Sequence, residues 1–254
     1  MTAAAEPRPG ALSVDVTVAV GADDGDGGFT LEVAFEAAAG STVAVVGPNG
    51  AGKSTLVSTI AGFLPARRGS IRIGDLAIDE PATGTFLEPE RRPVAIVPQD
   101  GLLFPHLDVL ANVAYGLRHR RRDLDRRRRD EMAMAALATL DLADLADRRP
   151  SALSGGQAQR AALARALVLE PAVLLLDEPL SNIDVDNRQL VRKVLQSERP
   201  ADQIQVVITH GPDHANDADH LLVIEDGRVA ARGTPSELRA TPPTAWLAEL
   251  LGGT

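Results

Sequence analysis

The sequence has 254 residues, with 26 basic and 35 acidic side chains and a formal net charge of −9. This acidic excess argues against a protein that binds nucleic acid on its own, because such proteins offset phosphate charge with a basic surplus. The absence of cysteine excludes disulfides and thiolate metal sites. We also expect neither an export signal nor a membrane span, since no apolar stretch of about 18 residues occurs.

The first part of the chain predicts strands that lead into a glycine-rich turn and a helix. Alternation of apolar and polar residues at 13–20 and 31–35 predicts an antiparallel pair of half-buried strands. The apolar run 42–46 predicts a buried strand, and helical spacing follows from 54 to 61. The order strand, glycine turn, helix is the arrangement in which proteins bind phosphate groups. Two more short strands are predicted at 70–73 and 94–97.

The second part alternates between helical and apolar segments. From 109 to about 146 the apolar residues recur every three to four positions, which predicts a helical insert that ends before Pro150. The later alternation predicts an α/β fold with buried parallel strands. It consists of a helix at 154–169, a strand at 172–176, a helix at 187–195, a strand at 204–209 and two short tail helices at 235–251.

A phosphate-binding motif lies where that mechanism requires it, directly after a strand and opening a helix. The pattern G-x-x-x-x-G-K-[ST] lets backbone N–H groups turn inward around phosphate oxygens. Lys53 is expected to reach the β- and γ-phosphates of a nucleotide, and Ser54 to offer its hydroxyl oxygen to Mg²⁺. The predicted nucleotide-binding residues are Gly47, Pro48, Asn49, Gly50, Ala51, Gly52, Lys53, Ser54 and Thr55.

Two carboxylates, Asp177 and Glu178, follow the buried strand at 172–176. A strand that ends in acidic residues delivers them to the edge where α/β sheets bind ligands. We expect Asp177 to hold Mg²⁺ through water and Glu178 to act as the general base for an attacking water. A solvated strand end is the simpler explanation of the pair alone, and the phosphate loop favours the catalytic one.

The pentapeptide Leu153-Ser154-Gly155-Gly156-Gln157 resembles the signature of the ATP-binding cassette (ABC) family. Other landmarks of that family occur in the expected order, at Gln99, Asp177-Glu178, Ser181-Asn182-Ile183-Asp184 and His210, and the resemblance extends from about 13 to 251. It implies a P-loop NTPase core with an antiparallel β subdomain and a helical, signature-bearing subdomain at about 100–165. The chain is thus expected to form one ABC ATPase domain over 11–251, after a disordered tail at 1–10, and to bind ATP and Mg²⁺.

The resemblance assigns the signature a role in a second subunit. A serine hydroxyl and unobstructed N–H groups at a helix start form an anion site, and in the family this site completes the ATP bound to the other subunit of a head-to-tail dimer. Ser154, Gly155, Gly156 and Gln157 would do so here, with Asp184 at the dimer seam. An N-cap serine followed by flexible glycines is the alternative for the pentapeptide taken alone.

The same resemblance supplies the other catalytic roles. Gln99 would contact Mg²⁺ and the attacking water while its loop contacts the membrane partner, and His210 would contact the γ-phosphate and hold Glu178 in place. The chain departs from the family between Gly21 and Gly28, where no aromatic residue is available to stack on adenine and Phe29 is only an approximate substitute. After His210 the family commonly has aspartate, whereas this chain has Gly211-Pro212-Asp213.

Two charged clusters invite other functions. His210, His214, His220 and Asp213 could form a metal site, but Gly211 and Pro212 interrupt the helical spacing that would align them. The arginine run at 118–129 suggests nucleic-acid binding. It contains aspartates and no aromatic residues, which favours a solvated helix face.

Two classes of cassette ATPase then compete. A soluble translation or repair ATPase would carry two cassettes or a long coiled coil before the signature. This chain has one cassette and no sustained heptads, which favours a transporter subunit. The segment 103–113 is similar to that of bacterial importers for oxyanions, ferric iron and polyamines. It could grip a short helix of a membrane subunit, with buried packing of Phe104 as the simpler explanation.

Together with the segments 29–31 and 87–92, this stretch most resembles molybdate importer ATPases, and sulfate or thiosulfate, iron and polyamine importers come next. The resemblance predicts a homodimer on the cytoplasmic face of the membrane. Its partners would be integral permease subunits and, indirectly, a periplasmic or lipid-anchored substrate-binding protein, with no nucleic acid.

Overall fold

The computed structural model describes residues 10–21, 28–181, 183–197 and 199–252. Most of the predicted tail and Asn182 of the predicted Ser-Asn-Ile-Asp turn lie outside these ranges. The chain divides into two compact units, one formed by the residues up to Val94 together with those from Ala201 onward, and the other by Ala95–Pro200. In the described ranges, no helix has both the length and the apolar character needed to cross a membrane.

The described elements follow one another as alternating strands and helices. The strands are β1 (Leu12–Val20), β2 (Phe29–Ala37), β3 (Thr42–Val46), β4 (Arg68–Ile73), β5 (Leu76–Glu80), β6 (Thr85–Phe86), β7 (Val94–Val97), β8 (Val173–Asp177), β9 (Ile204–Ile208), β10 (His220–Glu225) and β11 (Arg228–Gly233). The helices are α1 (Lys53–Ala61), α2 (Val109–Ala114), α3 (Leu117–Arg120), α4 (Arg126–Thr139), α5 (Gly155–Leu167), α6 (Val185–Ser197), α7 (Pro212–Asp217), α8 (Pro235–Ala240) and α9 (Ala245–Leu250).

The first unit is built on a mixed sheet whose strands lie in the order β6-β5-β4-β1-β2-β11-β10-β3-β9. β1 pairs antiparallel with β2 over its whole length, from Leu12 opposite Ala37 to Val20 opposite Phe29, which confirms the predicted pair. β3 runs parallel to β9, as the buried apolar runs predicted, and it also runs parallel to β10. Because parallel strands are covered on both faces, β3 and β9 are buried almost continuously, whereas β2 alternates.

The C-terminal helices complete the core of the first unit. Apolar side chains of α9, among them Leu247 and Leu250, pack with Ala44 and Val223 of the central strands. Trp246 lies against the same cluster, half-buried. Both short helices predicted for the tail are present as α8 and α9.

The second unit contains the helical insert, the acidic strand and the signature helix. α2, α4 and α5 pack against one another, and the neighbouring strands β7 and β8 are hydrogen-bonded. The arginine run falls on α3 and α4, where Arg126 and Arg127 are 85% and 88% exposed and form i,i+4 ion pairs with Asp130 and Glu131. These exposed, locally paired arginines agree with the solvated face predicted for this segment.

The sequence did not predict β5, β6, β10, β11 and α7. β5 carries a charged residue, Asp79, at a buried position, and β11 alternates only between half-exposed and exposed residues. Short strands with weak apolar alternation, such as β5, β6 and β11, are fixed by their partners in the sheet. β10 is different, because its residues 221–224 form a buried apolar run.

Candidate functional site

The phosphate loop connects β3 to α1 and is held from two sides by backbone. Gly47 has φ +151°, and a Cβ there would collide with the carbonyl oxygen of Ile224, so only glycine fits. The N–H of Gly227 donates to the carbonyl of Ala51 at 3.1 Å. Gly52 precedes α1 in the left-handed conformation, and the helix has no side-chain cap. Helix N-termini bind anions because their first N–H groups have no acceptor within the helix.

Lys53 lies in the centre of this loop. Its Nζ donates to the carbonyl oxygens of Gly47 and Pro48, both at 2.8 Å, and the residue is only 7% exposed. Ser54 is exposed and Thr55 half-buried at the start of the helix. A buried ammonium, helix N–H groups and an exposed hydroxyl in one concave loop are the groups that bind a polyphosphate with its cation.

His210 is located at the same sheet edge as the phosphate loop. β3 and β9 are parallel neighbours, with Val45 opposite Ile208, and the N–H of Thr209 donates to the carbonyl of Val45 at 3.4 Å. His210 follows directly and is exposed. Among the residues that the structure describes, no three His, Asp or Glu side chains are placed to hold a metal ion by themselves.

The end of α1 is fixed by a buried arginine that the sequence analysis missed. Arg92 is 1% exposed, and its Nη1 donates to the carbonyls of Thr59 and Ile60 at 2.7 and 2.9 Å. Nη2 lies 3.8 Å from Asp79. Burial lowers the pKa of Arg92 and raises that of Asp79. A cation at the last carbonyls of a helix is stabilising, so Arg92 anchors the helix whose other end forms the phosphate loop.

The side chain of Phe29 packs against the backbone of the phosphate loop. A Cβ at Gly52 would lie 2.8 Å from Cζ of Phe29, and one at Gly227 would lie 3.3 Å from the same atom. The half-buried ring therefore packs against the backbone of the phosphate loop and of the β10–β11 turn. This contact requires glycine at position 52, as the sequence pattern indicated. Glycine is required at position 227 chiefly because a Cβ there would lie 2.1 Å from the carbonyl oxygen of Thr30.

In the second unit, the two carboxylates lie at the end of β8. Asp177 is its last residue, and Glu178 follows in the left-handed region at φ +48°; both are half-buried. The N–H and Oγ of Ser181 donate to the carbonyl of Glu178 at 3.1 and 3.0 Å and stabilise this turn. A non-glycine residue with positive φ costs free energy, and such residues concentrate at functional sites.

Gln99 comes from the strand next to the acidic one. It is exposed and lies two residues beyond the end of β7, the hydrogen-bonded neighbour of β8. The loop then turns sharply: the N–H of Gly101 donates to the carbonyl of Pro98, and that of Leu102 to Asp100. Neighbouring strands thus supply the amide and the acidic residues predicted to act together.

The signature residues form the start of α5. Ser154 Oγ accepts from the N–H of Gln157 at 3.2 Å, and Gln157 Oε1 accepts from the N–H of Ser154 at 2.9 Å, which is a complete capping box. Ser154 and Gly155 are exposed, and Gly156 is half-buried. The serine therefore caps the helix, as the simpler explanation held, and it presents its hydroxyl at the surface.

Asp184 precedes α6 and binds that helix start. Its Oδ1 accepts from the N–H of Asn187 at 3.0 Å, and both carboxylate oxygens accept from Asn187 Nδ2 at 2.9 Å. These hydrogen bonds, first of all the one from the Asn187 side chain, hold the pKa of Asp184 below its usual value, and Arg160 adds to the effect.

The predicted site residues fall into two sets. The first unit holds the phosphate loop and His210; the second holds Gln99, the carboxylate pair, the signature and Asp184. The sequence analysis missed Arg92 and Gly227 of the first unit, and it also missed Arg165, a half-buried arginine of the second unit. Its side chain binds backbone carbonyls of the Gln99 loop.

Comparison with known proteins connects these features. The family model described as "ABC transporter" matches residues 31–181. The "Molybdenum import ATP-binding protein ModC" of Mycobacterium tuberculosis is 42% identical over 226 residues, which are 87% of this chain and 61% of that protein. The "sn-glycerol-3-phosphate import ATP-binding protein UgpC" of Cupriavidus metallidurans is 40% identical over 220 residues, 86% of this chain and 58% of that protein. The chain therefore spans about three fifths of the length of these relatives.

Solved structures share the fold. A dimeric ATP-binding cassette in a post-hydrolysis state, bound to ADP and Pi, is 26% identical with a TM-score of 0.76, over 88% of this chain and 98% of that one. A bacterial Atm1-family ABC exporter with ATP bound is 31% identical with a TM-score of 0.80, over 98% of this chain and 42% of that one. The mixed α/β architecture predicted from the sequence is confirmed by these matches.

Proposed function

This chain belongs to the ABC transporter family, and we propose that it is the ATP-hydrolysing subunit of a bacterial importer. The observation that carries the proposal is the phosphate loop, an uncapped helix start around the buried ammonium of Lys53. The similarity to import ATP-binding proteins over most of the chain supports the importer role.

The nucleotide is ATP with Mg²⁺. Mg²⁺ prefers oxygen ligands, and the proposed set fits that preference with the hydroxyl of Ser54, the carboxylate of Asp177 and the amide oxygen of Gln99. Bound there, the cation neutralises charge that develops on the phosphate oxygens. Lys53 binds the β- and γ-phosphates, and the N–H groups at the start of α1 bind the remaining oxygens.

Hydrolysis uses Glu178 as the general base. The carboxylate takes a proton from the attacking water, Gln99 orients that water, and His210 donates a hydrogen bond to the γ-phosphate. The turn fixed by Ser181 holds the backbone of Glu178 in an otherwise unfavourable conformation, which aims the carboxylate from the strand end. General base catalysis of this kind contributes about 10²- to 10⁴-fold to a rate.

Two copies act together as a head-to-tail homodimer. Ser154, Gly155, Gly156 and Gln157 of one copy complete the site around the ATP of the other, and Asp184 lies at the seam. The exposed position of the signature supports this role, as does the dimeric state of the structural neighbour. ATP closes the dimer and hydrolysis reopens it, which drives alternating access in the partner.

The membrane partner is a pair of permease subunits that bind the segment after Gln99, so the protein lies on the cytoplasmic face of the membrane. Leu102 is 66% exposed, and Tyr115 is 37% exposed with its ring 4.5 Å from that of Phe104. Exposed aromatic and apolar side chains of this kind anchor protein interfaces. The side-chain amide of buried Asn112 binds the N–H and carbonyl of Phe104 and so fixes the surface. A substrate-binding protein acts only through the permease.

The cargo is molybdate or a related oxyanion. The similarity to a molybdenum import protein supports it. The second candidate is ferric iron, favoured by 41% identity over 248 residues to the "Fe(3+) ions import ATP-binding protein FbpC 1" of Rhodococcus jostii, 95% of this chain and 67% of that protein.

The experiment on hydrolysis compares E178Q with wild type. We expect E178Q to bind ATP with unchanged affinity, to lose about 10²- to 10⁴-fold in kcat and to accumulate as an ATP-bound dimer. The matched control is E170Q, which neutralises another left-handed glutamate of the same unit at φ +46° and leaves kcat unchanged. Phosphate release and sedimentation velocity measure both variants. Normal turnover in E178Q would remove Glu178 as the base.

The experiment on cargo uses cells that carry wild-type protein or E178Q and grow with limiting molybdate, tungstate, sulfate or ferric iron. Elemental analysis should show selective loss of molybdenum and tungsten in the variant. Selective loss of iron would move the assignment to the second candidate, and equal uptake of every element would refute both.

A further inference from the structure

We propose that Arg165 is a positioning residue that clamps the Gln99 loop onto the signature helix α5. The proposal rests on the proposed ATPase function, since it concerns how Gln99 is held for the reaction. Arg165 lies in the last turn of α5 and is not part of the phosphate loop, the carboxylate pair or the signature. Its contacts are directed at the loop that follows Gln99.

The guanidinium binds two successive backbone carbonyls of that loop. Nη1 donates to Leu102 at 2.9 Å, and Nη2 donates to Gly101 at 3.0 Å. The planar fork of arginine presents parallel N–H groups in fixed geometry, which lysine cannot reproduce. Because the carbonyls belong to neighbouring residues, the contact fixes the direction of the backbone two and three residues after Gln99.

A fixed contact helps to hold this loop because one of its residues, Leu102, has an unfavourable backbone conformation. Gly101 and Leu102 are both left-handed, at φ +67° and +43°. The Leu102 side chain is 66% exposed, so burial of that side chain contributes little to holding the turn. A carbonyl-binding guanidinium therefore supplies the restraint that the loop's own side chain does not.

The loop also approaches α5 closely at Gly101. A Cβ there would lie 3.3 Å from Oε1 of Gln159 and 3.4 Å from the carbonyl oxygen of Ala158, tighter than ordinary contact. The backbone of the loop thus packs directly on the helix. Arg165, a little further along α5, adds its hydrogen bonds to the same contact. The start of α5 is the signature, so one rigid helix joins the signature to the Gln99 loop.

The same guanidinium contacts the proposed permease surface. Its Cζ lies 5.5 Å from the ring centroid of Phe104, which packs in turn, at a tilt of 44°, against the ring of the exposed Tyr115. Burial lowers the pKa of Arg165, and a guanidinium stays charged at neutral pH. A single side chain thus connects the aromatic surface, the Gln99 loop and the signature helix.

The first test is a double-mutant cycle between R165K and Q99A in the full-length chain, with steady-state ATP hydrolysis as the measurement. We expect R165K to lower kcat by about tenfold to a hundredfold, as a misplaced catalytic group does, with an unchanged Kd for ATP. In the Q99A background, R165K should cause no further loss, because the loop then has no glutamine to position. Losses that multiply in the double variant would overturn the proposal.

The second test is hydrogen exchange of the backbone amides, and it does not depend on activity. R165K should raise the exchange of residues 101–104. The matched control is R160K, which replaces a second arginine of α5, itself buried, whose Nη1 donates to the carbonyl of Leu140 at 2.8 Å; it should leave 101–104 unchanged. Equal exchange in R165K and wild type would overturn the clamp.

G101A provides an independent variant should R165K fold poorly. A Cβ at φ +67° strains the loop backbone and lies 3.3 Å from Oε1 of Gln159, so G101A should loosen the loop and reproduce the exchange and kcat effects of R165K. Unchanged exchange and unchanged kcat would contradict the proposal. If wild type hydrolyses no ATP, the proposed function fails while the exchange test of the clamp still stands.

Discussion

The helices α1 and α5 both begin with glycines at a predicted anion site, but their N-termini differ. Gly52 precedes α1 in the left-handed conformation with no side-chain cap, and Lys53 is buried within the loop. α5 is closed by the capping box of Ser154 and Gln157, at an exposed surface. The start of α1 leaves N–H groups for a ligand, whereas the start of α5 already satisfies part of its own.

The difference indicates how the two sites can work. The phosphate loop is enclosed by residues of its own unit, namely Ile224, Gly227 and Phe29. The capped signature needs no ligand for its stability, and its exposed hydroxyl suits a phosphate brought by a second copy. We therefore expect changes at α1 to affect nucleotide binding by a single chain, and changes at α5 to affect the dimer.

The largest expected effect is on the affinity for ATP, which should distinguish the phosphate loop from the signature. K53A removes a charged hydrogen-bond donor, each such bond being worth about 1.5–3 kcal/mol, so affinity for ATP should fall by at least tenfold. S154A should leave the affinity of dilute, monomeric protein unchanged and weaken the ATP-dependent dimer of E178Q. Titration calorimetry and sedimentation measure these effects. Equal loss of monomer affinity in K53A and S154A would contradict the comparison.

A smaller effect is expected on the free energy of unfolding, where substitutions of Gly52 and Gly155 should differ. G52A places a Cβ at φ +107° and 2.8 Å from the Phe29 ring, so we expect a loss of about 1–3 kcal/mol in the free energy of unfolding. G155A adds a methyl to the first helical residue of α5 and should change stability by less than about 1 kcal/mol. Urea unfolding followed by circular dichroism compares them, and a tolerant G52A would show that the loop is not tightly enclosed.

The smallest expected effect concerns Asp184, whose carboxylate caps α6, whereas α1 has no side-chain cap. The pKa of Asp184 is lowered in the folded state, mainly by the Asn187 side chain. The stability it contributes is therefore present above the usual carboxyl pKa of 3.8 and is lost as the pH falls below it. Between about pH 5 and pH 2, the free energy of unfolding should therefore fall less in D184N than in wild type. Identical pH profiles of unfolding would contradict this.

The sequence predicted those parts of the fold and site that are written in local patterns. The strand–loop–helix order around Lys53 and the apolar run before Asp177 were found where periodicity placed them. β11 was missed because its residues alternate only weakly and its pairing with β2 involves a partner far along the chain. β10 was missed although its buried apolar run is a local pattern. Arg92 and Arg165 were missed because an arginine surrounded by ordinary residues carries no signal of burial.

Sequence alone predicted the chemistry at the phosphate loop, since glycines, a lysine and a serine at fixed spacing are the residues that form such a backbone cradle. Tertiary structure decided which carbonyls Arg92 and Arg165 bind, why Gly227 must be glycine, and that Ser154 is engaged as a cap. The physical reason is the distance along the sequence over which each interaction acts. Helix and strand periodicity act over a few residues, whereas a buried guanidinium finds its carbonyls tens of residues away, only after the elements have packed.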